Sequence, residues 1–264
     1  MMRLAGEQMK RLRCPHILEL LYLMVVKELK VRYKSSFLGY LWALANPLAL
    51  TLVYYITFRL ILRVQVENFG VYLVTGIFPW MWMSNTLIQS TGAYRNNETL
   101  IRKVKLERPI LPLSSAVQEM LHFFFAFPVV IGALTLSTGV FRPSWFLLAP
   151  VMALIQLCMI FPIGVTLAIF NVFVRDIEYI IGIALQMLFF LTPIVYPQSG
   201  IPERYRAFFE WNPFYYMVSS WRSVFYTGAL DLGVVARCLV VAVIAGVIAV
   251  VVHRRLDRRI GEYL

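Results

Sequence analysis

Glu119 and His122 are the residue pair best placed to do chemistry in this 264-residue chain. They stand three positions apart, on one face of a helix. Glu119 is the only Asp, Glu, Lys or Arg between Arg108 and Arg142. A carboxylate beside an imidazole can pass protons, and an ionisable group at membrane depth marks a functional site by default. Nine residues separate Ile110 from Glu119, about 14 Å of helix rise. That depth leaves two readings open: a packing or snorkelling residue, or a group on a substrate path. A second chemistry belongs to Lys27, Lys30 and Lys34, which share a face at i, i+3 and i+7, with Arg32 between them. Such a cluster suits an anionic headgroup, because Lys and Arg hold phosphate oxygens by charge-assisted bonds; it also serves as a plain membrane anchor. Glu28 is spaced to pair with Arg32 one turn later. A third feature is the aromatic set Tyr40, Trp42, Trp80, Trp82, Phe189 and Phe190. Such rings anchor helices at the membrane interface, or offer flat faces on which the CH-rich side of a sugar packs.

Other chemistries are missing. The chain has no G-x-x-x-x-G-K-[ST] to cradle ATP phosphates, no H-E-x-x-H, no Cys/His ligand cluster and no G-x-S-x-G. His16, His122 and His253 are scattered, and the three cysteines Cys14, Cys158 and Cys238 give no disulfide framework. No catalytic residue, metal ligand or cofactor site is therefore assigned.

The elements that must position these groups are long and apolar. Residues 35–58, 68–94, 120–141, 143–174 and 179–202 contain no charged residue, and 232–252 carries only Arg237. About 20 apolar residues cross a bilayer as a helix, and lipid forces every backbone group to be satisfied within its own segment. An all-α membrane protein with six transmembrane helices is expected, filling residues 35–252 of a single domain over 1–264. Residues 1–34 precede it and 253–264 form a tail. The formal charge is +11, but the cations cluster between and beside the spans, a topology signal rather than a nucleic-acid surface. Their bias puts both termini in the cytoplasm. No cleavable signal peptide is expected, since charged chain precedes the first apolar run.

Three connecting regions stand out. Residues 17–34 are apolar in front and cationic behind, which predicts an amphipathic helix lying in the interface. Residues 95–112 read as a short cytoplasmic helix opened by Asn96-Asn97-Glu98 and closed by Pro109 and Pro112. Residues 193–230 are aromatic but broken by Pro193, Pro197, Gly200, Pro202 and Pro213. Two short re-entrant helices at the outer face fit that pattern, and a wide aromatic belt is the alternative. No internal repeat is visible.

Three segments carry a pattern that spans the chain in order. They are Arg32-Tyr33-Lys34-Ser35-Ser36-Phe37-Leu38-Gly39-Tyr40-Leu41-Trp42-Ala43-Leu44-Ala45-Asn46-Pro47, then Gly76-Ile77-Phe78-Pro79-Trp80, then Arg175-Asp176-Ile177-Glu178 through Thr192-Pro193-Ile194-Val195-Tyr196-Pro197 with Asn212-Pro213. Together they resemble the ABC-2 type permeases that export O antigen, capsule and teichoic acid. The resemblance implies a homodimer in the cytoplasmic membrane, docked on two copies of a separate ABC ATPase that binds ATP and Mg. It implies an undecaprenyl-diphosphate-linked glycan as cargo and an amphipathic N-terminal helix at its lateral entry; the cationic cluster Lys27, Lys30, Arg32 and Lys34 is then expected to hold the headgroup. It also implies a channel lined by the six aromatic residues together with Tyr196. Coupling to the ATPase would fall to Glu98, Arg102 and Lys103 and to Arg175, Asp176 and Glu178. An ABC-2 exporter of small amphiphiles, and a membrane enzyme using Glu119 and His122 on a lipid-linked sugar, are the competing expectations.

Overall fold

The computed structural model describes residues 2–33, 39–104 and 106–263. Lys34, counted in the cationic cluster, lies outside them. Among the described residues the chain is helical, without strands.

Helix α1 runs over Met2–Tyr33, longer than the sequence suggested. A short 3-10 turn at Gly39–Leu41 leads into α2 (Trp42–Tyr54), which continues through a π-helical stretch, Tyr55–Ile61. Then follow α3 (Phe69–Asn96), α4 (Glu98–Lys103), α5 (Ile110–Thr138) and α6 (Trp145–Phe173). Helix α7 (Ile177–Phe190) is short, α8 (Glu203–Glu210) and α9 (Pro213–Thr227) follow the proline-rich break, and α10 (Leu232–Tyr263) closes the chain.

Local chemistry sets the boundaries. Helix α5 stops at Gly139, whose φ of 69° returns its N–H to the Thr135 carbonyl, the left-handed stop that glycine makes cheaply. Helix α9 starts at Asn212, whose side chain accepts from the Phe214 N–H at 3.0 Å, with Pro213 at the first helical position. Asn97 does open α4, without a side-chain cap: its amide nitrogen donates back to Ala93 O at 3.0 Å.

Among the described residues, four segments are long and apolar enough to cross a membrane: Gly39–Ile61, Ile110–Thr138, Trp145–Phe173 and Leu232–Asp257. Helix α3 is long enough but more polar, for a reason visible in its surroundings. It sits at the centre, packed by α2, α5, α6, α7 and α9, so its faces meet protein and accommodate Asn85, Gln89 and a run of Ser and Thr. The charge-free stretch 179–202 does not form one helix. Helix α7 ends at Phe190, 14 residues long, about 21 Å against a hydrocarbon core of about 30 Å, and the chain turns at Thr192–Tyr196 ahead of Pro197.

The core is aromatic. Trp82, Trp145 and Trp221 are fully buried. A buried indole needs a partner for its N–H. Trp82 donates to Ala116 O at 3.3 Å, Trp145 to Phe225 O at 3.1 Å and Trp221 to Gln156 Oε1 at 2.6 Å. Gln156 passes the chain on, donating to Pro79 O at 3.2 Å. Helices α3 and α6 meet so closely that a Cβ on Gly164 would lie 2.8 Å from Ser90 Cβ.

The two ends of α3 define two ends of the bundle. At its C-terminal end a smaller core joins Tyr94, Ile110 and Ile260, with Ile17, Leu20 and Met24 of α1 packed against it. There Arg108 donates to Asp257 Oδ1 at 2.6 Å, and the rings of Phe173 and Tyr263 meet edge to face at 5.0 Å. So α1 and the C-terminal part of α10 share one end. Helix α1 has apolar residues both packed against this core and exposed, the latter being Leu18, Tyr22 and Leu23.

Candidate functional site

The residues singled out for separate chemistries meet at one place. Arg32, at the end of α1, reaches Glu119 on α5, with Nη1 2.5 Å from Oε1. The Arg32–Glu28 pairing expected within α1 does not form; Glu28 instead lies 3.6 Å from Lys27. The reason is burial. The Glu119 side chain is 3% exposed, and a buried carboxylate without a cation costs several kcal/mol, so it outcompetes the exposed Glu28 for the guanidinium.

Three more groups converge on the same carboxylate. Gln89 Nε2 donates to Oε1 at 2.6 Å and Asn85 Nδ2 to Oε2 at 3.2 Å, both from adjacent turns of α3. His122 Nδ1 lies 3.5 Å from Oε1 and 3.2 Å from Arg32 Nη1. The i, i+3 spacing of Glu119 and His122 is what brings the imidazole there, and the spacing of Asn85 and Gln89 brings the two amides in from the facing helix. Beside this cluster a cavity of about 670 Å³ opens between α1, α2, α3 and α5, with Arg32, Asn85, Gln89, Glu119 and His122 on one side and Trp42, Phe78, Trp82 and Phe123 on others. Asn46 and Pro47 of α2 complete its rim.

The remaining cations of α1 are placed differently. Lys27 Nζ donates to Asn97 Oδ1 at 3.2 Å, tying α1 to the α3–α4 joint. Lys30 is exposed.

The seven aromatic residues divide. Tyr40, Trp42 and Phe190 are about half exposed, at 51%, 52% and 50%. Trp82 stacks on Phe123 at 5.5 Å and borders the cavity. Trp80 and Phe189 are buried against each other, 5.7 Å between centroids, with Tyr54 and Phe214 alongside. Tyr196 closes the turn after α7, its hydroxyl donating to Phe190 O at 2.6 Å.

The coupling candidates share the α4 end. Glu98 and Arg102 pair at 2.9 Å on α4, with Lys103 in its last turn. Arg175 and Asp176 are exposed in the α6–α7 turn, and Glu178, in the first turn of α7, lies against the last turns of α3 near Gly92.

One residue escaped the sequence reading. Arg222 of α9 is the sole charge among residues 211–230, a signal that could have exposed it. Its guanidinium donates to the carbonyls of Pro193 and Ile194, the latter at 2.9 Å, and lies 3.7 Å from the centroid of Tyr72. Tyr72 in turn donates to Tyr196 O at 2.7 Å. The turn that proline leaves without helical partners is thus pinned to α3 and α9.

With this geometry in place, comparison with known proteins defines the class. The family model for ABC-2 type transporters matches residues 19–226, and the chain belongs to that family. Among curated relatives, an O-antigen export system permease protein RfbA of Klebsiella pneumoniae is 34% identical over 249 residues, covering 94% of this chain and 96% of that protein. The protein of the same name from Myxococcus xanthus is 33% identical over 78% of this chain and 80% of its own length. The polysialic acid transport protein KpsM of Escherichia coli is 25% identical over 79% of this chain and 82% of its own.

Proposed function

We propose that this chain is the permease subunit of an ATP-driven exporter carrying a lipid-diphosphate-linked polysaccharide across the cytoplasmic membrane, O antigen first among the candidates and teichoic acid or capsule next. The observation that carries this reading is the alignment of nearly the whole chain, 249 residues at 34% identity, with a protein named as an O-antigen export permease. In this reading α2, α3, α5, α6 and α10 are crossings, the sixth is made by α7 together with the non-helical turn that follows it, α8 and α9 are re-entrant at the outer face, and both termini lie in the cytoplasm. Two copies of the chain form the channel. Two copies of an ABC ATPase bind ATP and Mg, since the chain has no phosphate-cradling loop of its own. Helix α4 and the α6–α7 turn carry closure of the nucleotide sites into the bundle. The cationic end of α1 receives the diphosphate, and the glycan follows the exposed rings of Tyr40, Trp42 and Phe190.

The enzyme reading is the less favoured: the Glu119 carboxylate is held as the ionic partner of Arg32 and accepts from Gln89 and Asn85, an arrangement that stabilises its charged form rather than preparing it to take a proton. The decisive experiment is co-purification of the chain with its ATPase subunit in lipid, followed by ATPase assays with and without undecaprenyl-diphosphate-linked glycan. A stable complex whose turnover responds to glycan is expected. A chain that purifies without any ATPase, or a complex indifferent to glycan but stimulated by small amphiphiles, refutes the reading.

A further inference from the structure

Three donor side chains from two helices hold a single carboxylate, and an imidazole stands beside it. Arg32 comes from α1, Asn85 and Gln89 from α3, and His122 from α5. Such a cradle is an anion site, and Glu119 is the anion in it. Carboxylate and phosphate oxygens draw on the same charge-assisted donors, and arginine suits both. The two partners of the ion pair differ in exposure. Glu119 is 3% exposed and backed by protein, whereas Arg32 is 37% exposed at the edge of the cavity. The cavity, at about 670 Å³, falls within the roughly 300–1,000 Å³ of small-molecule sites. Trp42 and Trp82 stand beside the charge, so an amphiphile with an anionic head finds both a polar and an aromatic wall.

We propose that Glu119 is a built-in competitor for a diphosphate: the headgroup of the lipid carrier enters this cavity and replaces Glu119 as the partner of Arg32, with Asn85 and Gln89 as further donors. This rests on the polysaccharide reading and names the site and the residue that tunes it. The competitor has a physical use. A transporter must release what it binds. A carboxylate that retakes Arg32 lowers the affinity for the carrier and supplies the counter-charge when the carrier moves on. Glu119 is therefore a positioning and affinity-setting residue, not a catalytic one.

The test uses the permease–ATPase complex in nanodiscs of zwitterionic lipid, so that anionic lipid does not occupy the site. Undecaprenyl diphosphate is titrated in one arm and soluble inorganic pyrophosphate in the other, with quenching of tryptophan fluorescence as the readout. E119Q should bind undecaprenyl diphosphate at least tenfold more tightly than wild type, about 1.4 kcal/mol. R32Q should bind it at least tenfold more weakly, and adding E119Q to R32Q should tighten binding by much less than it does in wild type, because the main competition is for Arg32. If E119Q does not assemble, Glu119→Asp, which withdraws the carboxylate by one methylene, should give a smaller tightening. Equal affinity of wild type and E119Q, or of wild type and Glu119→Asp where that variant is used, overturns the proposal. Tightening toward pyrophosphate alone overturns the assignment to the lipid carrier. Glycan export by the wild-type complex is scored separately: its absence defeats the polysaccharide reading, whereas export with unchanged headgroup affinities defeats only the competitor.

Discussion

Gly164→Ala tests how tightly the central helix is gripped. The added Cβ would lie 2.8 Å from both Cβ and Oγ of Ser90. Carbon atoms pack best at about 3.5–4.0 Å, so α3 and α6 must part locally by close to 1 Å. Ser90 cannot swing its Cβ away, because that atom is fixed to the α3 backbone, and its hydroxyl reaches Pro112 O. Overpacking of this kind costs about 1–3 kcal/mol. Opposing it, replacing glycine by alanine inside a helix gains about 0.5–1 kcal/mol. The net expectation is a loss of about 1–2 kcal/mol. At roughly 2–4 °C per kcal/mol for chains of this size, the midpoint should fall by about 2–8 °C. Thermal unfolding of the purified permease–ATPase complex, read by the loss of its size-exclusion peak, measures this. S90G removes the obstructing atoms, so S90G/G164A should sit above the sum of the two single changes. A G164A protein melting at or above wild type would mean that helix propensity wins and the helices part freely, which would refute the reasoning; additivity in the double variant would refute it equally.

Trp221→Phe keeps the ring but strips Gln156 Oε1 of its donor, and a buried acceptor left unpaired costs about 1–3 kcal/mol; the same melting assay should show it. Arg222→Lys replaces a fork bonded to two carbonyls with a point charge, so the segment after α7 should loosen. Limited proteolysis within residues 192–212 should then be faster than in wild type. Asn97→Ala removes the acceptor for Lys27 at the α3–α4 joint, a bond of about 0.5–1.5 kcal/mol. The ratio of glycan-stimulated to basal ATPase turnover should fall by about two- to tenfold, and an unchanged ratio would detach α1 from coupling.

The parts of the fold set by local composition could be read from the chain. Helices α5, α6 and α10 announce themselves as apolar runs, and Asn212-Pro213 marks a real start, whereas Gly139 ends α5 inside the charge-free run 120–141. Helix α7 was misjudged because absence of charge says nothing about where backbone geometry breaks, and Pro193 and Pro197 break it well before the apolar run ends. At the site, the sequence singles out Arg32, Glu119 and His122 for chemistry, but not the amides Asn85 and Gln89. What sequence spacing could not supply was their meeting. Arg32 and Glu119 are 87 positions apart, and helix periodicity offered Arg32 a nearer partner in Glu28. Burial, a tertiary property, decided between them. Arg222 was missed for the opposite reason: a lone cation among aromatic residues was treated as part of a broken segment rather than as the group that holds the break in place.

The position of α3 has a consequence for how the chain is made. Insertion of a helix from the translocon is driven by apolar surface offered to lipid. Helix α3 keeps its apolar residues for protein neighbours and carries Asn85, Gln89, Ser90 and Thr91 at positions whose partners are Glu119, Pro112 O and the α3 backbone itself. Two of those partners lie downstream, on a helix not yet synthesised when α3 leaves the ribosome. The middle of this protein is therefore an early-made, late-satisfied element. Truncations ending shortly after residue 96 should be the ones that cellular quality control removes fastest.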